Sequence, residues 1–172
     1  MASIIKVDTI QTAAGGTPSL SDLGIATTGT GKVLQVVQGE HQAEQDTTST
    51  SFVSTGLTAT ITPSSTSSKI YIQVALACSG PYESAGGGAT AIYRIWDGTS
   101  ALIQTAHRVN DYGNSGMFSF TNHAINYLHS PATTSAITYR VDHKFVDGEA
   151  SRVFNNSGGG SKGTITLIEI AG

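Results

Sequence analysis

Cysteine, charge and long apolar runs are all scarce in this chain, and each shortage removes a class of protein. One cysteine, Cys78, among 172 residues rules out an internal disulfide and a thiol-based zinc site. It sits in a hydrophobic alternation, where a buried and inert thiol is expected. Charged residues make up 12% of the chain, about half the usual share, with no basic cluster and a formal net charge of −3. Affinity for a phosphate backbone comes from Lys and Arg displacing counterions, so no nucleic-acid partner is expected. No apolar stretch approaches the roughly 20 residues of a membrane helix, and the start lacks the charged-then-apolar order of a signal peptide. Neither a membrane partner nor export is expected, and synthesis in a cytoplasm is.

Leucine is also scarce, at 8 residues, whereas Val, Ile and Thr number 48 and Ser with Thr fill 43 positions. That balance favours strands over helices and a neutral, hydroxyl-rich surface. Apolar residues recur with period two. Along residues 69–79, Ile70, Ile72, Val74, Leu76 and Cys78 share one face, and Tyr71, Gln73, Ala75 and Ala77 share the other. The second face is only mildly polar, which suits contact with another layer or subunit. Leu57, Ala59 and Ile61 alternate with threonines up to Pro63, and residues 63–68 read as a turn between two antiparallel strands. Further strands are predicted near Phe52 and over 32–39, 90–96, 102–109, 116–129, 136–146, 152–155 and 163–170, with Asp97-Gly98 and Asp147-Gly148 as hairpin signals. These short strands spaced by loops predict an all-β fold, an antiparallel β-sandwich or jelly-roll-like knob.

The first 31 residues differ from this body. They hold one short apolar strand, residues 3–10, followed by a run of Thr, Gly, Ala, Ser and Pro that has no core of its own. A lone strand needs partners for its backbone donors and acceptors and a surface for its side chains. Residues 1–31 are therefore read as an attachment arm and linker whose docking contacts are Ile4, Ile5, Val7 and Ile10, and residues 32–172 as the displayed knob.

Chemistry-bearing constellations are weak. His123 and His129 share a strand face about 20 Å apart, too far for one metal. His41, His107 and His143 add no ligand spacing, so no metal site is expected. Asp142-His143 beside Arg140 and Lys144 would need a nucleophile from elsewhere. No serine lies in a Gly-x-Ser-x-Gly elbow, and the glycine runs at 86–88 and 158–160 lack the Lys-Ser/Thr ending of a phosphate loop. No enzyme activity and no cofactor are expected. Tyr82, Trp96, Tyr112 and Tyr127 offer aromatic faces suited to sugar rings, but with a single Trp in the chain core packing is the expectation.

Ile5-Lys6-Val7-Asp8-Thr9-Ile10-Gln11 with Gly15-Gly16 resembles the opening of virion fibre and decoration proteins of tailed bacteriophages. The stretch Gly31-Lys32-Val33-Leu34-Gln35-Val36-Val37-Gln38, then Thr50-Ser51-Phe52-Val53 and the residues from Leu57 to Ile70, is similar to a knob domain that recurs in such fibres. These motifs cover residues 4–78. The resemblance implies a non-enzymatic, trimeric β-sandwich on a virion assembled in the host cytoplasm, docked by its N-terminal segment to a capsid or other virion protein. With no long shaft, a capsid decoration (cement) protein or short head fibre is the first expectation. A tail-fibre or tail-tip protein recognising a host surface glycan is the alternative, with Tyr82, Asp111, Tyr112 and Asn114 as the distal contacts to test.

Overall fold

Period-two alternation becomes burial over residues 57–61 and 69–76. Leu57, Ala59 and Ile61 are buried with the intervening threonines exposed, and Ile70, Ile72, Val74 and Leu76 are wholly buried. These rows line the core of a computed structural model that describes residues 31–83, 87–111, 117–118, 121–147, 150–154 and 161–172. The arm residues Ile4, Ile5, Val7 and Ile10 lie outside the described residues.

In chain order the strands are β1 (Val33–His41), β2 (Gln45–Thr47), β3 (Val53–Ile61), β4 (Lys69–Glu83), β5 (Gly87–Trp96), β6 (Ala101–Asp111), β7 (Met117–Phe118), β8 (Thr121–His129), β9 (Ile137–Asp147), β10 (Ala150–Val153) and β11 (Gly163–Ile170). All register pairs are antiparallel, and the strands form two sheets. The larger runs β1-β11-β4-β10-β2 with β7 and β8 also paired to β4, and the smaller runs β3-β9-β5-β6. The expected all-β antiparallel sandwich is what the chain forms.

Strand β4 organises the larger sheet. Its first half pairs β11 and β8, its second half pairs β10 and β7, and the register shifts between Leu76 and Ser79. Such a bulge bends the strand and re-aims its faces. Between the sheets lie Tyr93, Ile95, Tyr139 and Val141 from the smaller one and Ile125, Ile165 and Leu167 from the larger.

Two expected connections differ in the structure. Residues 63–68 join β3 of the smaller sheet to β4 of the larger, so they cross the sandwich and do not close a hairpin. Glu169 fixes the crossing: its Oε1 accepts from the Ser64 amide at 2.7 Å and the Ser64 hydroxyl at 2.6 Å, and its Oε2 accepts from Gln35 Nε2 at 2.6 Å. Asp147-Gly148 likewise leads from β9 to β10, which pairs with β4 and β2 in the other sheet. Asp97-Gly98 does close a hairpin, with Gly98 at φ 101° and the Asp97 carboxylate taking the Thr99 and Ser100 amides. The predicted strand over 116–129 is two elements, β7 and β8, and β2 is a polar strand that alternation does not mark.

Geometry requires glycine at Gly39 and Gly56, among other positions. A Cβ on Gly39 would stand 1.9 Å from the Thr58 carbonyl oxygen, where β1 of one sheet passes β3 of the other. Gly56 adopts φ 81° with the His41 ring against it.

Candidate functional site

The strand parity that buries one row of each sheet leaves two outer faces, and they have opposite chemistry. On the larger sheet the register lines up Val36, Ile168, Tyr71 and Leu128, one from each of β1, β11, β4 and β8. Val36 is 58% exposed and Leu128 49% exposed. The next row is Gln38, Thr166, Gln73 and Asn126, and the next is Glu40, Thr164, Ala75 and Ala124. Glu40 is the single charge in these rows, at a corner where Lys162 Nζ lies 2.8 Å away. Leu34 and Val33, also exposed, lie toward the entry of β1, where the row of Val33 and Ile170 runs on to the exposed Lys69 of β4. A four-strand surface with an apolar row and its charges, Lys69 and Glu40, in the outermost rows has the composition of a protein interface core, from which charged residues are depleted. The mildly polar second face expected for residues 69–79 is thus an outer face of the sandwich.

The smaller sheet presents the reverse. Asp142, 1% exposed, accepts from Arg94 Nε at 2.9 Å, from Arg94 Nη2 at 2.8 Å, from Arg140 Nε at 2.6 Å and from Arg140 Nη2 at 3.3 Å. The Arg94 guanidinium carbon stands 4.1 Å from the centroid of the Phe52 ring and 4.3 Å from that of Trp96, and Lys144 Nζ lies 5.0 Å from the Phe52 centroid. Trp96 therefore does not fill the core as expected; it shares the outward parity of Ile92 and Arg94. Tyr127 does pack against the core.

The two ends of the sandwich also differ. Gly31 N donates to the Ala171 carbonyl and Ala171 N to the Lys32 carbonyl, both within 2.9 Å, so the entry to β1 and the end of β11 sit side by side. At this same end a cleft of about 450 Å³ is lined by Asp97, Thr99, His129, Pro131, Ser135 and Thr138, among others. Asp97 is consumed by the hairpin: four donors from Thr99 and Ser100 overcome its partial burial and hold its carboxyl below the ordinary range. His129 Nδ1 lies 2.8 Å from the Tyr139 hydroxyl, and burial lowers the imidazole pKa against the pull of Asp97. The far end carries two of the expected distal residues. The backbones of Tyr82 and Asp111 lie there, paired with Phe118 and Gly87 respectively, while Tyr112 and Asn114 fall outside the described residues.

Histidines meet where in-strand spacing does not reveal it. His123 Nε2 on β8 lies 2.8 Å from His107 Nδ1 on β6, joining the open edges of the two sheets. Burial lowers both pKa values, and the neighbouring His107 lowers that of His123 further, so both shifts favour the neutral rings. Among the described residues no group of three His, Cys, Asp or Glu is placed to hold a metal ion. His143 Nδ1 lies 3.0 Å from the Ser151 hydroxyl, the nearest approach to a catalytic dyad, but both residues are buried and Asp142 points to the opposite face of β9. With no access for a substrate and no carboxylate orienting the imidazole, this pair lacks the geometry of nucleophilic catalysis. The side chain of Cys78 lies outside the described residues.

No protein-family model matches the chain. No curated protein matches it either. Among solved structures, the D431N mutant of the VP2 protein of infectious bursal disease virus, in derived T=1 particles, is similar at 14% identity and a TM-score of 0.33 over 80% of this chain and 36% of that one. This chain spans about a third of that protein's length.

Proposed function

We propose that this chain is a virion structural protein of a tailed bacteriophage, a capsid decoration or short head-fibre protein that docks through residues 1–31 and displays its β body as a homotrimer. The observation that carries the reading is the outer face of the larger sheet, where Val36, Ile168, Tyr71 and Leu128 form an apolar row across four strands with no central charge. Exposed to water that row is unfavourable, and burial against a second copy removes it from solvent. Two features support the attachment role: the motifs at residues 5–16, and the entry of the chain at one end of the sandwich beside residue 171. Among the described residues, His143 and Ser151 are buried away from any substrate and no group of three His, Cys, Asp or Glu converges.

Three measurements test the reading. Light scattering of the purified chain is expected to give three times the monomer mass, and a stable monomer at micromolar concentration would remove the trimer. Deleting residues 2–25 is expected to leave a folded body that no longer enters particles; normal incorporation would refute the docking role. Gold-labelled antibody against residues 32–172, viewed on intact particles, is expected over the head. Label confined to the tail would make recognition of a host glycan the primary role, and label on neither would refute a virion location.

A further inference from the structure

The ion-pair cluster on the outer face of the smaller sheet is built as a ligand-binding site would be. A carboxylate almost wholly removed from water is costly unless it serves a fixed purpose, and Asp142 has four short contacts that all go to two guanidinium groups. Those contacts use two of the five N–H donors of each arginine, and among the described residues no other acceptor takes the remaining three. Stacking over Phe52 and Trp96 fixes the plane of Arg94 as well as its position. Lys144, whose ammonium also lies against the Phe52 ring, has no carboxylate partner among the described residues. Three cations thus stand against one anion, a local excess of positive charge in a chain whose formal charge is −3.

We infer that this face binds an acidic saccharide, a sugar ring bearing a carboxylate or sulfate group. The guanidinium N–H edges and the Lys144 ammonium suit an oxyanion, and the exposed margins of the Trp96 and Phe52 rings, whose faces hold the cations, offer apolar contact to the C–H groups of a sugar beside it. Because Asp142 and the rings hold the donors in place before any ligand arrives, little side-chain freedom is lost on binding. Three cations are too few for a nucleic-acid backbone, whose affinity needs a longer track of phosphate contacts. The inference goes beyond the structural role proposed above and stands independently of where on a particle the protein sits. It also places the ligand on the sheet opposite the proposed subunit contact.

Trp96 is the single tryptophan of the chain, so its fluorescence reports on this face without labelling. The intact chain is titrated with an oligogalacturonate, a sulfated oligosaccharide, a neutral malto-oligosaccharide of equal length and inorganic sulfate. The expected result is a saturable change with one or both acidic oligosaccharides, weakened by added salt and absent with the neutral one. Arg140→Gln is expected to weaken that binding about tenfold, and Lys144→Gln, at a position with no ion pair to lose, to weaken it while leaving the fold unchanged. An equal response to the neutral sugar, or saturation by free sulfate at the same concentration, would overturn the inference. So would unchanged affinity in both variants.

Discussion

Lowering the pH from 7 to 5 should weaken this fold, and His143 should account for a measurable share. The imidazole projects inward from β9, 1% exposed, opposite Tyr93 on β5 and Val53 on β3. Its Nδ1 meets the Ser151 hydroxyl, and among the described residues its Nε2 has no partner. Burial therefore disfavours the charged ring and lowers its pKa to about 4, despite the attraction of Asp46 and Asp142. In the unfolded chain the same ring titrates near the ordinary value of about 6.5, so the unfolded state takes up the proton first as pH falls. The contribution of His143 to stability is complete above pH 6.5 and is lost progressively toward pH 4, for a total of about 3 kcal/mol. At pH 5 the loss is about 2 kcal/mol. His107, His123 and His129 are lowered by burial too, so wild type alone does not isolate one ring. Urea denaturation of wild type and His143→Gln at pH 7 and pH 5, at a fixed protein concentration, does isolate it. The wild type is expected to lose about 2 kcal/mol more than the variant over that interval. Equal losses in the two proteins would show that His143 is not held neutral by burial, and the reasoning would be wrong.

Replacing Val36 and Leu128 together by glutamate is expected to give a folded monomer by light scattering, since both side chains are exposed and only the proposed subunit contact meets them; a persisting trimer would place the interface elsewhere. Glu169→Gln should cost about 2 kcal/mol at pH 7 by loss of charge-assisted hydrogen bonds to Ser64 and Gln35. Burial opposes the charge, yet those donors lower the carboxyl pKa to about 2, so the deficit should persist above pH 4.5 and vanish as pH falls toward 2. Gly39→Ala should cost about 1–3 kcal/mol, because the new methyl meets the Thr58 carbonyl and forces β1 away from β3. A thermal melt at constant ionic strength checks it, and an unchanged midpoint would mean that the two strands part without cost.

Residues whose side chains alternate locally were legible without a structure. Ile70, Ile72, Val74 and Leu76 declare their shared face because the period of a strand is written in four alternate apolar positions. Partner choice is not local, and there the sequence is silent. The serine-rich segment 63–68 has the composition of a turn whether it closes a hairpin or crosses the sandwich, and the group that fixes the crossing, Glu169, lies 105 positions away from Ser64. The polar strand β2 is held by β10 across the same kind of distance, with Arg152 bonded to Asp46 through two nitrogens. Part of the charged face was within reach: Ile92, Arg94 and Trp96 share strand parity, which sets Trp96 on the side of an arginine and away from Tyr93 and Ile95. Phe52, Arg140 and Asp142 join them only through the pairing of β9 with β3 and β5. The meeting of His107 and His123 is hidden for the same reason, since it spans two sheets.

The attachment of β1 beside the end of β11 has a mechanical consequence. Tension applied to the chain at Gly31 runs along the axis of β1, and the ladder from Val33 opposite Ile170 to His41 opposite Gly163 lies across that pull. The load is then shared by the whole ladder in shear, and no single bond is peeled open ahead of the others. On the proposed docking role, a carrier gripping the entry to β1 would load the body in the direction in which an antiparallel pair of strands resists rupture best.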